Sequence, residues 1–223
     1  MTNISIKYSG SDHENCTLAN CVKNSSVNIG NITETTQPQV LAKMYVDFTV
    51  TVNSSDYSGY QYILVDSATE NDAVTVNDAV TIVEGDLKSS ILSYRHNKTF
   101  SGKIDSVTLG DGLMPIPGEF VKQVEVARLK LSGLDITSDF DSNKTTAENQ
   151  QGEVHKVIDG LMQGNADPLL AILQAKGIDI NTPLKDMAIA SQFDTTSEVL
   201  TDAPIIDVIG ITDGFDSAML MAA

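Results

Sequence analysis

Alternation of apolar and polar residues dominates the first 135 positions of the chain. Residues 4–8 alternate at the start, and the same period of two recurs in several later segments. This period is typical of strands that bury one face. The predicted strands cover residues 4–8, 44–52, 60–65, 87–92, 100–109 and 120–131. Polar stretches at 53–59 and 93–98 predict turns, and Gly133 is expected to end the last strand.

The hydrophobic period changes to about 3.6 after residue 139, which is typical of amphipathic helices. Apolar residues within 154–162 fall on one helical face, and Gly164 is a stop signal. Asp-Pro at 167–168 and Thr-Pro at 182–183 each place a capping residue before a proline suited to the first helical turn. Strands followed by helices predict a single α+β domain, with helices packed on one face of an antiparallel sheet.

The composition is strongly acidic, with 30 Asp and Glu against 14 Lys and Arg and a net charge of −16. Nucleic acids and anionic membrane surfaces both require a clustered basic face, so neither is expected as a partner. No apolar run approaches the roughly 20 residues that span a bilayer, and no cleavable N-terminal export signal is visible. The common hydrolase and P-loop signatures are missing, so the chain is not expected to be an enzyme.

The sequence contains two cysteines, Cys16 and Cys21. A zinc site needs four ligands, and His13 is the only nearby partner, so a metal site is not expected here. A small-loop disulfide is favoured if the chain is exported to an oxidising environment. Two free thiols are the alternative.

The turn predicted at 93–98 contains the densest set of candidate ligand groups. A phenol, a guanidinium, an imidazole and an amine come from Tyr94, Arg95, His96 and Lys98. Loops on a rigid hairpin commonly present side chains that hold ligands. The alternative interpretation is an ordinary turn with solvated side chains. His155, on the helix predicted over 154–162, is interpreted by default as a partly buried structural histidine.

Several motifs then point to a known family. They are QQGEVHKVIDGLMQG at 150–164, FSGKIDSVTLGDGL at 100–113 and SGYQYI at 58–63. NADPLLAILQAKGI, PLKDMAIASQ and TDAPIIDVIG follow in the second half. In this order they resemble the secreted heme-acquisition hemophores, the HasA family, from about residue 56 to the C-terminus and in the opening ISIKY. The resemblance implies one α+β domain, with a curved antiparallel sheet and helices on one side.

The same resemblance implies a function and a location. HasA-like proteins bind heme b non-covalently outside the cell and deliver it to a TonB-dependent outer-membrane receptor, without catalysing a reaction. Asp216, followed by small and apolar residues up to the terminal Leu-Met-Ala-Ala, resembles the uncleaved C-terminal signal read by type I secretion machinery. The predicted organisation is a hemophore-like domain over residues 1–205 and a tail with this signal over residues 206–223.

The resemblance also implies iron ligands that this sequence lacks. Family members coordinate iron through a hairpin tyrosine supported by a histidine, and many add a histidine from an early loop. These positions fall at Ser89, Lys98 and Glu34. Ferric iron favours a phenolate or an imidazole over such groups. Tyr94 is therefore predicted as the iron ligand, with His96 as its hydrogen-bond partner.

His155, Met162 and Glu34 are weaker candidates for the walls of the heme pocket. The first two match the family's HKxxxGLM helix, although Met and Leu at helical spacing are typical of any core. The alternative function is a secreted hemophore-like paralogue that binds no heme and acts through protein–protein contacts.

Overall fold

The computed structural model describes residues 3–9, 13–25, 43–45, 56–65, 78–90, 99–117, 121–193 and 205–211. Strands within these residues form one seven-stranded sheet. They are β1 (Asn3–Ser9), β2 (Lys43–Tyr45), β3 (Asp56–Val65), β4 (Ala79–Ser90), β5 (Thr99–Pro115), β6 (Lys122–Ser138) and β7 (Ile205–Ile211). The order across the sheet is β2-β3-β4-β5-β6-β1-β7. Neighbours pair antiparallel, except that β1 and β7 are parallel.

The described residues also include five helices with defined bounds. They are α1 (Leu18–Ser25), α2 (Thr146–Asn149), α3 (Glu153–Met162), α4 (Asp167–Ala175) and α5 (Leu184–Phe193). The short α2 is held by a capping box, in which Thr145 and Glu148 each accept a hydrogen bond from the other's backbone amide. Among the described residues, no helix is both long enough and apolar enough to cross a membrane.

The main core lies between the helices and one face of the sheet, called the helix face. It joins Ile4 and Ile6 of β1 to Val157 and Ile158 of α3, all of them buried. The opposite face, called the far face, carries a smaller buried cluster. Its members are Ile63, Val65, Val80, Ile82, Val124 and Ala127. The predicted fold class, an α+β domain with helices on one face of a mainly antiparallel sheet, is confirmed.

The central hairpin, β4 and β5, changes register where its strands pass Glu84 and Leu87. Such bulges bend a strand and increase its twist. Gly102 lies beside this irregularity with φ +99°, and a Cβ at this position would collide with the carbonyl of Asp86. A left-handed backbone in such close contact favours glycine.

Two strand boundaries differ from the predictions. The strand expected to end at Gly133 continues to Ser138. Gly133 has φ +69°, and the β5–β6 register shifts beside it, so this glycine forms a bulge inside the strand. β3 begins at Asp56, inside the stretch 53–59 predicted as a turn, because Asp56 to Gly59 pair with the end of β4.

The start of α4 differs from the prediction by one residue. Asp167 was expected to cap the helix, but it is the first helical residue, and Ala166 occupies the cap position. The amide of Asp167 donates to Oδ1 of Asn165 at 3.0 Å. The side chain that accepts a hydrogen bond from this amide therefore belongs to Asn165, two positions before Asp167.

The strand β7 crosses the boundary predicted between residues 205 and 206. All seven of its residues pair with β1, and Val208 is buried in the main core. Residues 206–211, predicted as part of the tail, therefore belong to the sheet. The remaining tail, residues 212–223, lies outside the described residues.

Cys16 and Cys21 form a disulfide, with Cα atoms 5.8 Å apart. The bridge joins the residues before α1 to its first turn. The carbonyl of Cys16 also accepts a hydrogen bond of 3.0 Å from the amide of Leu184, the first residue of α5. Of the two alternatives for the cysteines, the structure has the disulfide, and it lies where α1 meets α5.

Candidate functional site

His155 lies on α3 where this helix packs against the central hairpin. Glu153 lies in the first turn of α3, where a carboxylate complements the helix dipole. The His155 side chain is 8% exposed. Its Nδ1 accepts a hydrogen bond of 3.3 Å from the backbone amide of Phe100. The two rings stack with centroids 5.8 Å apart and an interplanar angle of 23°.

These contacts fix the protonation state of His155. An Nδ1 that accepts a hydrogen bond requires the neutral ring, with the proton on Nε2. Burial lowers the pKa of His155, and the negative charge of Asp159, one helical turn later, partly opposes that shift. The imidazole is therefore neutral at pH 7 and anchors the first residues of β5 to the helix.

Tyr62 of β3 extends this contact to the end of α3. Its ring meets Phe100 edge-on, with centroids 5.1 Å apart and planes at 66°. Its hydroxyl donates a hydrogen bond of 3.2 Å to Sδ of Met162. Burial raises the pKa of Tyr62, and the charge of Asp159 raises it further, so this phenol keeps its proton. Tyr62, Phe100, His155 and Met162 are called the aromatic cluster.

The aromatic cluster includes the start of β5, which follows in sequence the residues predicted as a ligand-carrying turn. Phe100 is the second residue of β5, two positions after residue 98. Across the sheet, Ser89 of β4 is opposite Phe100, and Tyr57 of β3 is opposite Ser89. One register row therefore connects the aromatic cluster to the ends of β3 and β4.

The structure brings together two of the predicted site residues. His155 and Met162 both belong to the aromatic cluster. Tyr94, His96 and Glu34 lie outside the described residues, as does Lys98. Their predicted roles stay predictions.

Sequence reasoning missed Tyr62 and Phe100 as site residues, although both lie in motifs quoted for the family resemblance. Each is an aromatic residue at an alternating strand position, which marks a buried face but not a ligand. Only the packing of α3 onto these strands joins them to His155 and Met162.

The aromatic cluster is better suited to forming the wall of a heme pocket than to coordinating the heme iron. Aromatic and thioether groups provide the apolar contact that a porphyrin ring requires. Two polar groups of the cluster are already engaged, Nδ1 of His155 by Phe100 and the Tyr62 hydroxyl by Met162. The residues that the structure describes contain no group of three or more His, Cys, Asp or Glu that could hold a metal ion.

A second buried arrangement, called the polar network, lies on the other side of the same strands. Nε2 of Gln61 donates to Oε1 of Glu84 and to the carbonyl of Lys122, both at 2.8 Å. Oε1 of Gln61 accepts a bond of 2.9 Å from the Lys122 amide. Ser106 donates to Oε2 of Glu84 at 2.7 Å. Because Lys122 begins β6, three strands from β3, these bonds require the sheet to curve.

Lys130 is buried beside the polar network, with 6% of its surface exposed. Burial lowers the pKa of its ammonium group, the negative charge of Glu84 opposes that shift, and Lys7 reinforces it. The polar network is therefore built from hydrogen-bonded polar side chains, whereas the aromatic cluster is mainly apolar.

Comparison with known proteins gives consistent matches. The family model for heme-binding protein A (HasA) matches residues 2–223. The apo structure of the hemophore HasA from Yersinia pestis is 27% identical, covers 96% of this chain and 99% of its own, and has a TM-score of 0.66. The holo form of that hemophore is 31% identical to this chain and has a TM-score of 0.63. The match covers 82% of this chain and 95% of that chain.

A tyrosine-to-alanine mutant of HasA from Yersinia pseudotuberculosis, crystallised as a monomer, is 30% identical. The match covers 82% of this chain and 95% of that chain, with a TM-score of 0.65. No curated protein matches the chain. Because the family model spans nearly all of the sequence and agrees with the observed fold, this chain belongs to the HasA family of heme-binding proteins.

Proposed function

We propose that this protein is an extracellular hemophore that binds heme b non-covalently and delivers it to a TonB-dependent outer-membrane receptor. Capture and release are the whole function, and no reaction is catalysed. The observation that carries the proposal is the family match over residues 2–223. The aromatic cluster supports it, because it provides an apolar wall at the end of the central hairpin.

Heme would lie against the aromatic cluster. Met162 is half-buried, so part of its side chain is available for contact with a porphyrin. The hydrogen bond from Phe100 to His155 holds the start of β5 against α3 and keeps this wall in place. Bound heme would supply an iron atom that needs axial ligands. The sequence predicts Tyr94 for this role, with His96 as its partner and Glu34 as a weaker pocket residue.

Export would follow the type I route. The signal is proposed for the tail predicted over residues 206–223, of which residues 212–223 follow β7, the last strand that the structure describes. The disulfide between Cys16 and Cys21 agrees with an extracellular location, since such bonds persist in oxidising environments.

A second candidate function rests on Ser89. This residue stands where the family carries its iron-binding tyrosine, and it is opposite Phe100 in the register of the sheet. A serine hydroxyl is a poor ligand for ferric iron. The alternative is therefore a secreted HasA-like protein that binds no heme and acts through contacts with other proteins.

Titration with hemin separates these functions. Increasing hemin is added to the purified protein at neutral pH, and the Soret absorbance is followed, with urea-unfolded protein as the control for non-specific association. The proposal predicts a shifted Soret band that saturates at one heme per chain only for the folded protein. Absence of saturable binding at micromolar hemin would reject the hemophore function and favour the alternative.

A further inference from the structure

Asp159 places a carboxylate on the side of α3 that packs against the aromatic cluster. It follows His155 by four residues and precedes Met162 by three. Residues three and four apart are neighbours on the surface of a helix. His155 and Met162 both belong to the aromatic cluster. Asp159 therefore lies between the two points at which α3 meets this cluster.

The surroundings of Asp159 leave its charge without a counterion. The residue is half-buried, and its Oδ2 accepts a hydrogen bond of 2.7 Å from Nε2 of Gln163. A neutral amide donates to a carboxylate without cancelling its negative charge. The ion pairs among the described residues do not involve Asp159. A negative charge is thus held at the edge of a mainly apolar wall.

Two side chains of the aromatic cluster respond to this charge. Burial raises the pKa of Tyr62, and the charge of Asp159 raises it further. Burial lowers the pKa of His155, and the same charge opposes that shift. A charge is screened less where apolar groups exclude water. A ligand that lay against the cluster would therefore also respond to the charge of Asp159.

We propose that Asp159 stabilises the ferric state of bound heme and makes the iron harder to reduce. This role rests on the proposed heme-binding function and concerns the same site. Iron loses one unit of positive charge when it accepts an electron, so a negative charge nearby favours the oxidised state. The carboxylate acts through space and is not an iron ligand. A chemical reductant supplies the electron, and no bond to Asp159 forms or breaks.

Substitutions at one position separate the charge of Asp159 from the shape of its side chain. Asp159→Asn and Asp159→Ser remove the charge, whereas Asp159→Glu keeps it. Glu153→Gln is the matched control, since it removes one negative charge from an exposed position of the same helix. Each variant and the wild type are loaded with hemin and titrated with dithionite, and the Soret band gives the reduction potential. Circular dichroism confirms that each protein is folded.

Both neutral variants are expected to move the ferric–ferrous equilibrium about tenfold toward ferrous iron, which is a rise of about 59 mV for one electron. Asp159→Glu and Glu153→Gln should match the wild type. A second measurement needs no heme. The pKa of His155 in the apo protein, followed by NMR, should fall in Asp159→Asn because the charge that opposes the effect of burial is gone.

Equal reduction potentials in the wild type and both neutral variants would overturn the role of Asp159. Hemin binding by these proteins would then leave the proposed function standing. An equal rise in Glu153→Gln would overturn the role as well, since net charge would be the cause. So would a His155 pKa that does not fall in Asp159→Asn. A wild type that binds no hemin would overturn the role and the function together.

Discussion

Two consecutive residues of β3, Gln61 and Tyr62, belong to opposite faces of the sheet and to two different kinds of buried site. On the far face, Gln61 makes three hydrogen bonds and joins β3, β4 and β6 in the polar network. On the helix face, Tyr62 makes one hydrogen bond and otherwise contacts an aromatic ring. Alternation along one strand therefore supplies both sites.

The difference between the two sites indicates different roles. Pairing within the polar network satisfies its buried groups, which makes it suited to holding the curvature of the sheet. The aromatic cluster instead consists of buried rings with a half-buried thioether at its edge, and the two hydrogen bonds of its side chains are isolated from each other. Such a surface can accept an apolar ligand without breaking a network. Substitutions on each face test this division.

Removal of the central ring should have the largest effect. Phe100 is 4% exposed and contacts both Tyr62 and His155. Phe100→Ala should lower the free energy of unfolding by about 4 kcal/mol, because it leaves a cavity in the core. Urea unfolding measures this loss, and hemin titration of the folded fraction should show weaker binding. Unchanged hemin affinity would show that the aromatic cluster is not part of the heme site.

Disruption of the polar network should affect stability alone. Gln61→Leu leaves the amide and carbonyl of Lys122 and one oxygen of Glu84 without their partner in Gln61. The expected cost is about 2 kcal/mol of unfolding free energy, since buried polar groups lose their hydrogen bonds. Hemin affinity of the folded variant should equal that of the wild type. A large loss of hemin affinity would contradict the division between the two faces.

The third prediction concerns pH and His155. Because burial holds the folded-state pKa below that of the unfolded chain, the unfolded state binds more protons over the intervening range. Stability from the neutral ring is therefore present above about pH 6.5 and is lost as the pH falls through the folded-state pKa.

The variant His155→Gln isolates this effect, since it cannot titrate. It should cost about 1 kcal/mol at pH 7.5, and the difference from the wild type should narrow as the pH approaches 5. Unfolding free energies of both proteins at several pH values give the comparison. A difference that stays constant with pH would show that protonation of His155 does not contribute.

Much of the fold could be predicted from local patterns. Alternation located β1, most of β5 and β6 and the end of β4, and the 3.6 period located α3, because each pattern reflects burial of one face. The Thr-Pro signal at 182–183 located α5. Gly133 was misleading because a glycine with positive φ serves a strand bulge as well as a strand end. The strand β7 was harder to foresee, since it is separated from β1 by nearly the whole chain.

The candidate site was only partly predictable for the same reason. His155 and Met162 lie seven residues apart on one helix, so a helical motif could indicate both. Tyr62, Phe100 and the register row through Ser89 to Tyr57 depend on strand pairing. A one-residue slip of register would change every partner, and no local pattern specifies that register.

The most direct test of the account is the position of bound heme relative to the two faces. Methyl NMR of the protein with one equivalent of hemin provides it, because a paramagnetic iron shifts and broadens nearby signals. If heme lies against the aromatic cluster, the Met162 methyl signal shifts or broadens. The Ala127 methyl signal, in the buried cluster of the far face, should stay unchanged. Perturbation of Ala127 with an unaffected Met162 would contradict the account.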